Sequence, residues 1–266
     1  MQGIEHLILT SADLEHAFGR QFIRPDKLRL YAGRREVDLE LMKVKHNDRI
    51  DLQRLAQLFA QGVTAVVNRV DRSFPAISDM VNTLTMWLRE SIEVVAVMSF
   101  GEQSGISAHH DHENVFIVQL EGGKEWTLLG NPVPLGWCGN GPCEAAETER
   151  KLTLAAGDVM FLPVGQRHFC RALGQSLHLG ICIRHTTARD ILEDFGLQMA
   201  KDPELNVPLL GFLGAEHEQA RIEAFKARMH QLVDELDLSG DLAALRQRRR
   251  LVSDFTFPSS PAAEKS

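Results

Sequence analysis

Two stretches of this chain gather residue types that bind metal ions. The first is His109-His110-Asp111, inside SGISAHHDHENVFIVQLEGGKEW, and the second is His168, at the end of LAAGDVMFLPVGQRH. Successive side chains of an extended chain point to opposite faces, so His109 and Asp111 share one face and His110 takes the other. A second histidine on a neighbouring strand completes a set of two imidazoles and one carboxylate. Such a set covers one side of an ion and leaves the other open, as in non-haem Fe(II) sites that admit a substrate and dioxygen.

An H-x-D pair alone also fits a polar strand end or turn. Its surroundings favour the metal site. The apolar run Val115 to Val118 follows directly, and Gly157-Asp158 opens a second apolar run, Val159 to Leu162, closed by Pro163. Lys124 follows Gly122-Gly123 and precedes Trp126, either as a solvated hairpin residue or as a partner of the metal motif. His178 lies in the alternating stretch Ser176-Leu177-His178-Leu179, where it fits a group orienting a ligand near the metal or a core histidine satisfied by a hydrogen bond. His110, His112 and Asn114 fall on the face away from the ligands. The two histidines there are expected at the surface or on the substrate side, and Asn114 near the pocket mouth. The other histidines (His6, His16, His46, His185, His217 and His230) have no metal-like company.

These segments, together with GVTAVVNRVDRSFP and SLHLGICI, resemble the JmjC branch of the cupin superfamily over roughly Asp48 to Arg184, about half of the chain. The resemblance is closest to the cupin-like ribosomal oxygenases, which are Fe(II)- and 2-oxoglutarate-dependent protein hydroxylases. It implies His109, Asp111 and His168 as the iron and catalytic ligands. It implies Lys124, fifteen residues after the first histidine, as the group that binds the distal carboxylate of 2-oxoglutarate. It places His178 beside the cosubstrate, with Asn114 also expected among the cofactor-binding residues, and it implies a helical segment after the barrel that pairs two copies in a homodimer, although the apolar stripe there fits packing on its own barrel equally well. Asp111 argues against a halogenase, where a small residue replaces the carboxylate to admit halide. The matching part is shorter at the front than in the ribosomal enzymes and lacks their acidic C-terminal winged-helix domain. The chemistry therefore carries over better than the substrate.

The expected fold is mainly β with α flanks, built on a double-stranded β-helix (jelly roll) core. Residues 1–90 read as a mixed α/β flank bracing the barrel, 91–186 as the catalytic core, 187–257 as the helical segment and 258–266 as a disordered tail. In the flank, Lys27 to Met42 fit two short strands with a turn at Gly33. Asp51 starts a helix carrying Leu52, Leu55, Leu58 and Phe59, Val63 to Val67 form a buried strand, and Ser78 caps a second helix. Gly130 to Glu149 interrupt the barrel rhythm as a loop. Helices are expected over Ala188 to Ala200, Ala215 to Leu236 and Asp241 to Arg249, the second with Ile222, Phe225, Met229, Leu232 and Leu236 along one stripe.

Composition narrows the function classes. The chain has 266 residues, a net charge of −7 and 44% apolar residues, which fits one catalytic domain with additions and a sizeable core. The acidic balance argues against a general grip on nucleic acid, and the basic run Arg246 to Arg250 reads as a solvated helix face. Cys138, Cys143, Cys170 and Cys182 form no C-x-x-C pair, which argues against a zinc site. The first residues lack a signal pattern and no run has membrane-spanning length, so a reducing cytoplasm is the expected location. Three readings follow: a hydroxylase of a protein or peptide side chain, a hydroxylase of a free amino acid or small metabolite at the same iron site, and a cupin scaffold that binds metal without turnover.

Overall fold

The structure is a computed structural model and describes residues 8–44, 49–102, 105–133, 149–208 and 210–248. His6, His46, Cys138, Cys143, most of the Gly130–Glu149 excursion, the end of the Arg246–Arg250 run and the tail lie outside the described residues. The chain divides into two compact units, one running to Arg184 and one spanning His185–Arg250.

The first unit opens on helix α1 (Ser11–Gly19), which the sequence reading missed although Thr10 and Asp13 form a reciprocal capping box. Strands β1 (Leu28–Ala32) and β2 (Arg35–Glu36) follow as expected. Helix α2 (Leu52–Ala60) starts where Asp51 accepts the Arg54 N–H. Strand β3 (Thr64–Asn68) leads to helix α3 (Pro75–Leu88). The expectation that Ser78 caps α3 is corrected: the helix starts earlier, with Phe74 as its N-cap and no capping side chain. Proline at the first position is already set for the helix and has no N–H to satisfy.

The remaining strands are β4 (Ser91–Ser99), β5 (Asn114–Glu121), β6 (Gly123–Leu129), β7 (Glu149–Ala155), β8 (Val159–Leu162), β9 (Arg167–Ala172) and β10 (Ser176–Arg184). They form a seven-stranded sheet in the order β2-β1-β3-β4-β10-β5-β8 and a three-stranded sheet, β7-β6-β9. All pairings are antiparallel.

The alternation along β10 separates two interiors. Leu177, Leu179, Ile181 and Ile183 join the core shared with α1, α2 and α3, which also takes Val94, Ala96 and Met98 from β4. Burying each such side chain contributes about 1.5–3 kcal/mol. The intervening His178 and Cys182 face the other interior, a small apolar cluster of Val115, Ile117, Trp126, Leu128, Leu154 and Leu162. A bulge in β5 refines this division. Leu177 pairs with Glu121 but His178 pairs with Gln119, so Leu120 is the extra residue. The bulge keeps Leu120 in the helix-side core and lets Glu121 accept the N–H of Ser11 at the start of α1.

The second unit holds α4 (Ala188–Met199), α5 (Ala215–Asp234) and α6 (Leu238–Arg248). Thr187 and Asp190 form a capping box at α4. Arg228 of α5 donates twice to one oxygen of Asp202, at 2.7 and 3.2 Å. No residue of α5 is fully buried: Ile222, Met229, Leu232 and Leu236 of the expected stripe are half-buried and Phe225 is exposed.

Candidate metal centre

His109 stands just before β5, and His168 is the second residue of β9. The expectation that His109 and Asp111 lie within a strand is corrected: an isolated bridge joins His109 to His168, and Asp111 sits in the connection that follows. The bridge has two main-chain hydrogen bonds, His109 N–H to His168 O at 3.0 Å and His168 N–H to His109 O at 2.7 Å. A metal-like set results. His109 Nε2 lies 3.7 Å from Asp111 Oδ1, and His168 Nε2 lies 3.7 Å from Asp111 Oδ2. Among the described residues, these three side chains are the one group of His, Cys, Asp or Glu close enough to hold an ion, with one ligand atom from each lying within 4.8 Å of the others.

The imidazoles are prepared for that role by their outer nitrogens. His109 Nδ1 lies 2.9 Å from Ser107 O, and His168 Nδ1 lies 2.9 Å from Gln166 O. A carbonyl only accepts, so each Nδ1 carries the proton and each Nε2 presents its lone pair towards Asp111. His168 is also held neutral, with its pKa lowered first by burial.

The turn Pro163–Gln166 fastens the two ligand segments. Gly165 N–H donates to Asp111 O at 3.0 Å, and Val164 N–H donates to Asn114 Oδ1 at 2.8 Å. The Gln166 amide donates to the carbonyls of Leu129, Gly130 and Arg167. Asn114, expected beside the cosubstrate, thus directs its side-chain oxygen to this turn. Gln166 was missed in the sequence, where only its place two residues before His168 marked it. His112 is exposed, but His110 is buried, which sets aside the surface half of its expected surface or substrate-side position.

Lys124 and His178 come together inside the barrel. Lys124 Nζ lies 2.9 Å from His178 Nδ1 and 3.4 Å from the carbonyl oxygen of Val97. Lys124 is 1% exposed, and burial lowers its pKa to about 8. Trp126, two residues on along β6, packs between the two polar groups, with ring centroids 5.7 Å from His168 and 5.4 Å from His178. The Gln119 amide donates to the carbonyls of Glu121 and Leu177 across the bulge and so fixes the backbone on which His178 stands. Burial is graded along the site: the His109 and Asp111 side chains are 37% and 34% exposed, whereas that of His168 is 5% exposed.

The donor set passes a chemical test for a hard-to-borderline divalent ion, since it offers two neutral imidazole nitrogens and one carboxylate on one side. The interior beyond it holds an amine that faces no anion among the described residues, which suits an acidic ligand reaching in from the metal.

Residues 75–191 match the family model described as the JmjC domain. Ribosomal oxygenase 1 of Gallus gallus is 27% identical over 237 residues, covering 72% of this chain and 39% of that protein. The structure of YcfD, a ribosomal oxygenase from Escherichia coli, in complex with cobalt and 2-oxoglutarate superposes with a TM-score of 0.55 at 15% identity, covering 97% of this chain and 67% of that one. Its complex with cobalt and succinic acid gives a TM-score of 0.54 at 15% identity, over 89% of this chain and 61% of that one. At that identity the likeness speaks for the fold. The chain spans well under half the length of the curated relative it matches. Residues 75–191 are thus similar to a JmjC domain, and the fold around the histidine–aspartate–histidine set is similar to that of the ribosomal oxygenases.

Proposed function

We propose that this protein is an Fe(II)- and 2-oxoglutarate-dependent dioxygenase that hydroxylates an unactivated carbon of a protein or peptide side chain. One observation carries the reading: the His109–Asp111–His168 set shares its barrel with a buried lysine that no carboxylate among the described residues neutralises. Fe(II) with 2-oxoglutarate and dioxygen would supply oxidative decarboxylation to succinate and carbon dioxide, coupled to insertion of an oxygen atom into a C–H bond.

The residues of the chain account for the remaining requirements. His109 and His168 would hold the ion through Nε2, each oriented by a backbone carbonyl, and Asp111 would supply the anionic ligand. Charge balance explains Lys124. A divalent cation, one aspartate and a dianionic keto acid sum to −1, and the lysine brings the buried site to zero. Val115, Ile117, Trp126 and Leu128 keep the inner end dry. The open edge at His109 and Asp111 supports a polypeptide substrate approaching from solvent over a metabolite sealed inside. The exposed apolar side chains of Leu192, Leu197, Phe212, Phe225 and Val233 in the helical unit fit self-association as a homodimer, which light scattering of the purified protein would test.

The deciding experiment is an anaerobic titration with Fe(II) and then 2-oxoglutarate, followed by visible absorption. The charge-transfer band of a chelated keto acid is expected, weakened in Lys124→Ala. Stoichiometric metal binding with no band would leave a metal-binding cupin scaffold as the better account.

A further inference from the structure

Buried lysines ordinarily face a carboxylate, because an unpaired ammonium is poorly tolerated in a low-dielectric interior. The surroundings of Lys124 are different. In register beside it, β7 offers Leu154 and β9 offers Ala172. β4 offers the carbonyl oxygen of Val97, and β10 offers Nδ1 of His178. The Cys170 thiol on β9 is the other titratable group whose field reaches Lys124, and no carboxylate among the described residues acts on it. His178 is held neutral, by burial first and by the nearby lysine second. A neutral imidazole nitrogen accepts one N–H from Lys124 without cancelling its charge. An aspartate or glutamate in the same place would cancel it and leave nothing for a ligand.

We infer that His178 is a positioning residue acting through Lys124: it aims the amine yet leaves its charge uncompensated, so that binding of a ligand carboxylate there is coupled to uptake of a proton above neutral pH. This rests on the reading of the barrel as a keto-acid pocket. With no ligand bound, burial holds the lysine pKa at about 8, so near pH 8.5 most of the molecules carry a neutral amine. A ligand carboxylate beside Nζ favours the ammonium and restores it. The balance is simple: Nζ gains one N–H bond, a base in the solvent gives up that proton, and no other bond changes. At pH 6.5 the lysine is charged with or without ligand, and nothing is taken up.

The test is calorimetric titration of the Zn(II)-loaded protein with 2-oxoglutarate at pH 6.5 and 8.5, in buffers of contrasting ionisation enthalpy. 2-Oxobutanoate is the control, since it displaces the same metal-bound waters but has no second carboxylate. At pH 8.5, 2-oxoglutarate is expected to take up most of a proton more than 2-oxobutanoate, with no difference at pH 6.5. Equal uptake by the two ligands at both pH values would overturn the inference and leave the keto-acid reading standing. Failure of both to bind would overturn that reading itself. His178→Asp is expected to abolish the extra uptake and weaken 2-oxoglutarate at least about tenfold while changing 2-oxobutanoate by less than about threefold. His178→Gln, which keeps a neutral acceptor, is expected to retain both properties. Wild-type uptake and selectivity in His178→Asp would remove the positioning role.

Discussion

The main chains of His109 and His168 exchange two hydrogen bonds, so two imidazoles far apart in sequence are set side by side before any ion arrives. Their ring centroids are 4.4 Å apart. The position of each ring therefore owes little to Asp111, whose side chain is one-third exposed. Asp111→Ala should remove the anionic ligand and leave the fold intact, with stability changed by less than about 1 kcal/mol. Co(II) titration followed by visible absorption checks this: stoichiometric binding should be lost, and 2-oxoglutarate turnover with it. Wild-type cobalt affinity in this variant would remove Asp111 from the ligand set.

Asn114 illustrates how the ligands are held from behind. Its side-chain oxygen takes the N–H of Val164, and the adjoining Gly165 N–H takes the carbonyl of Asp111. Asn114→Ala should loosen the turn that ties Asp111 to the strand of His168. Metal affinity is expected to fall about 10–100-fold, the usual effect of losing a group that orients ligands. Competition with a chelator would measure it. Unchanged affinity would show that the turn is held by its main-chain bonds alone.

Much of this site can be read along the chain because strands repeat every two residues. The alternation in Ser176–Arg184 separates His178 from Leu177 and Leu179, and the apolar run after Asn114 marks β5. What escaped the sequence depends on partners distant in the chain. The bridge that sets His109 is made by main-chain atoms, which no residue type announces. The bulge at Leu120 exists only against β10, and His110 is buried by what folds around it rather than by its own polarity. The start of α3 was misread because a serine is a familiar cap, although Pro75 begins the helix three residues sooner.

Gly122 makes the turn that carries the chain from β5 in one sheet to β6 in the other and so delivers Lys124. Its φ is +62°, and a Cβ there would run into the carbonyl oxygen of Gln175. Gly122→Ala should combine left-handed strain of about 1–3 kcal/mol with a main-chain collision that shifts the β5–β6 turn. The melting temperature should fall. Affinity for 2-oxoglutarate should fall further than affinity for metal, because Lys124 stands two residues away on β6, whereas His168 is paired at the far end of that strand, opposite Leu128, and His109 and Asp111 lie outside it. Equal losses of both would mean that the turn supports the barrel as a whole.

Lys124 should cost stability for the sake of binding. The pKa of this lysine is about 8 in the folded chain, against 10.5 for an ordinary lysine, so between these values the unfolded chain binds more protons than the folded one. Stability therefore rises with pH through that window. Below about pH 8 the folded chain carries the full penalty of a buried charge, on the order of 3 kcal/mol. Lys124→Met removes that charge and keeps an unbranched chain of similar reach. The ligand-free variant should melt above wild type at pH 7, and the gap should narrow as pH approaches 10. Its affinity for 2-oxoglutarate should fall by about 2–5 kcal/mol. Thermal melts across pH, with and without cosubstrate, separate the two effects. A ligand-free variant less stable than wild type at pH 7 would mean that the lysine is paired in solution and that its charge is not held in reserve for a ligand.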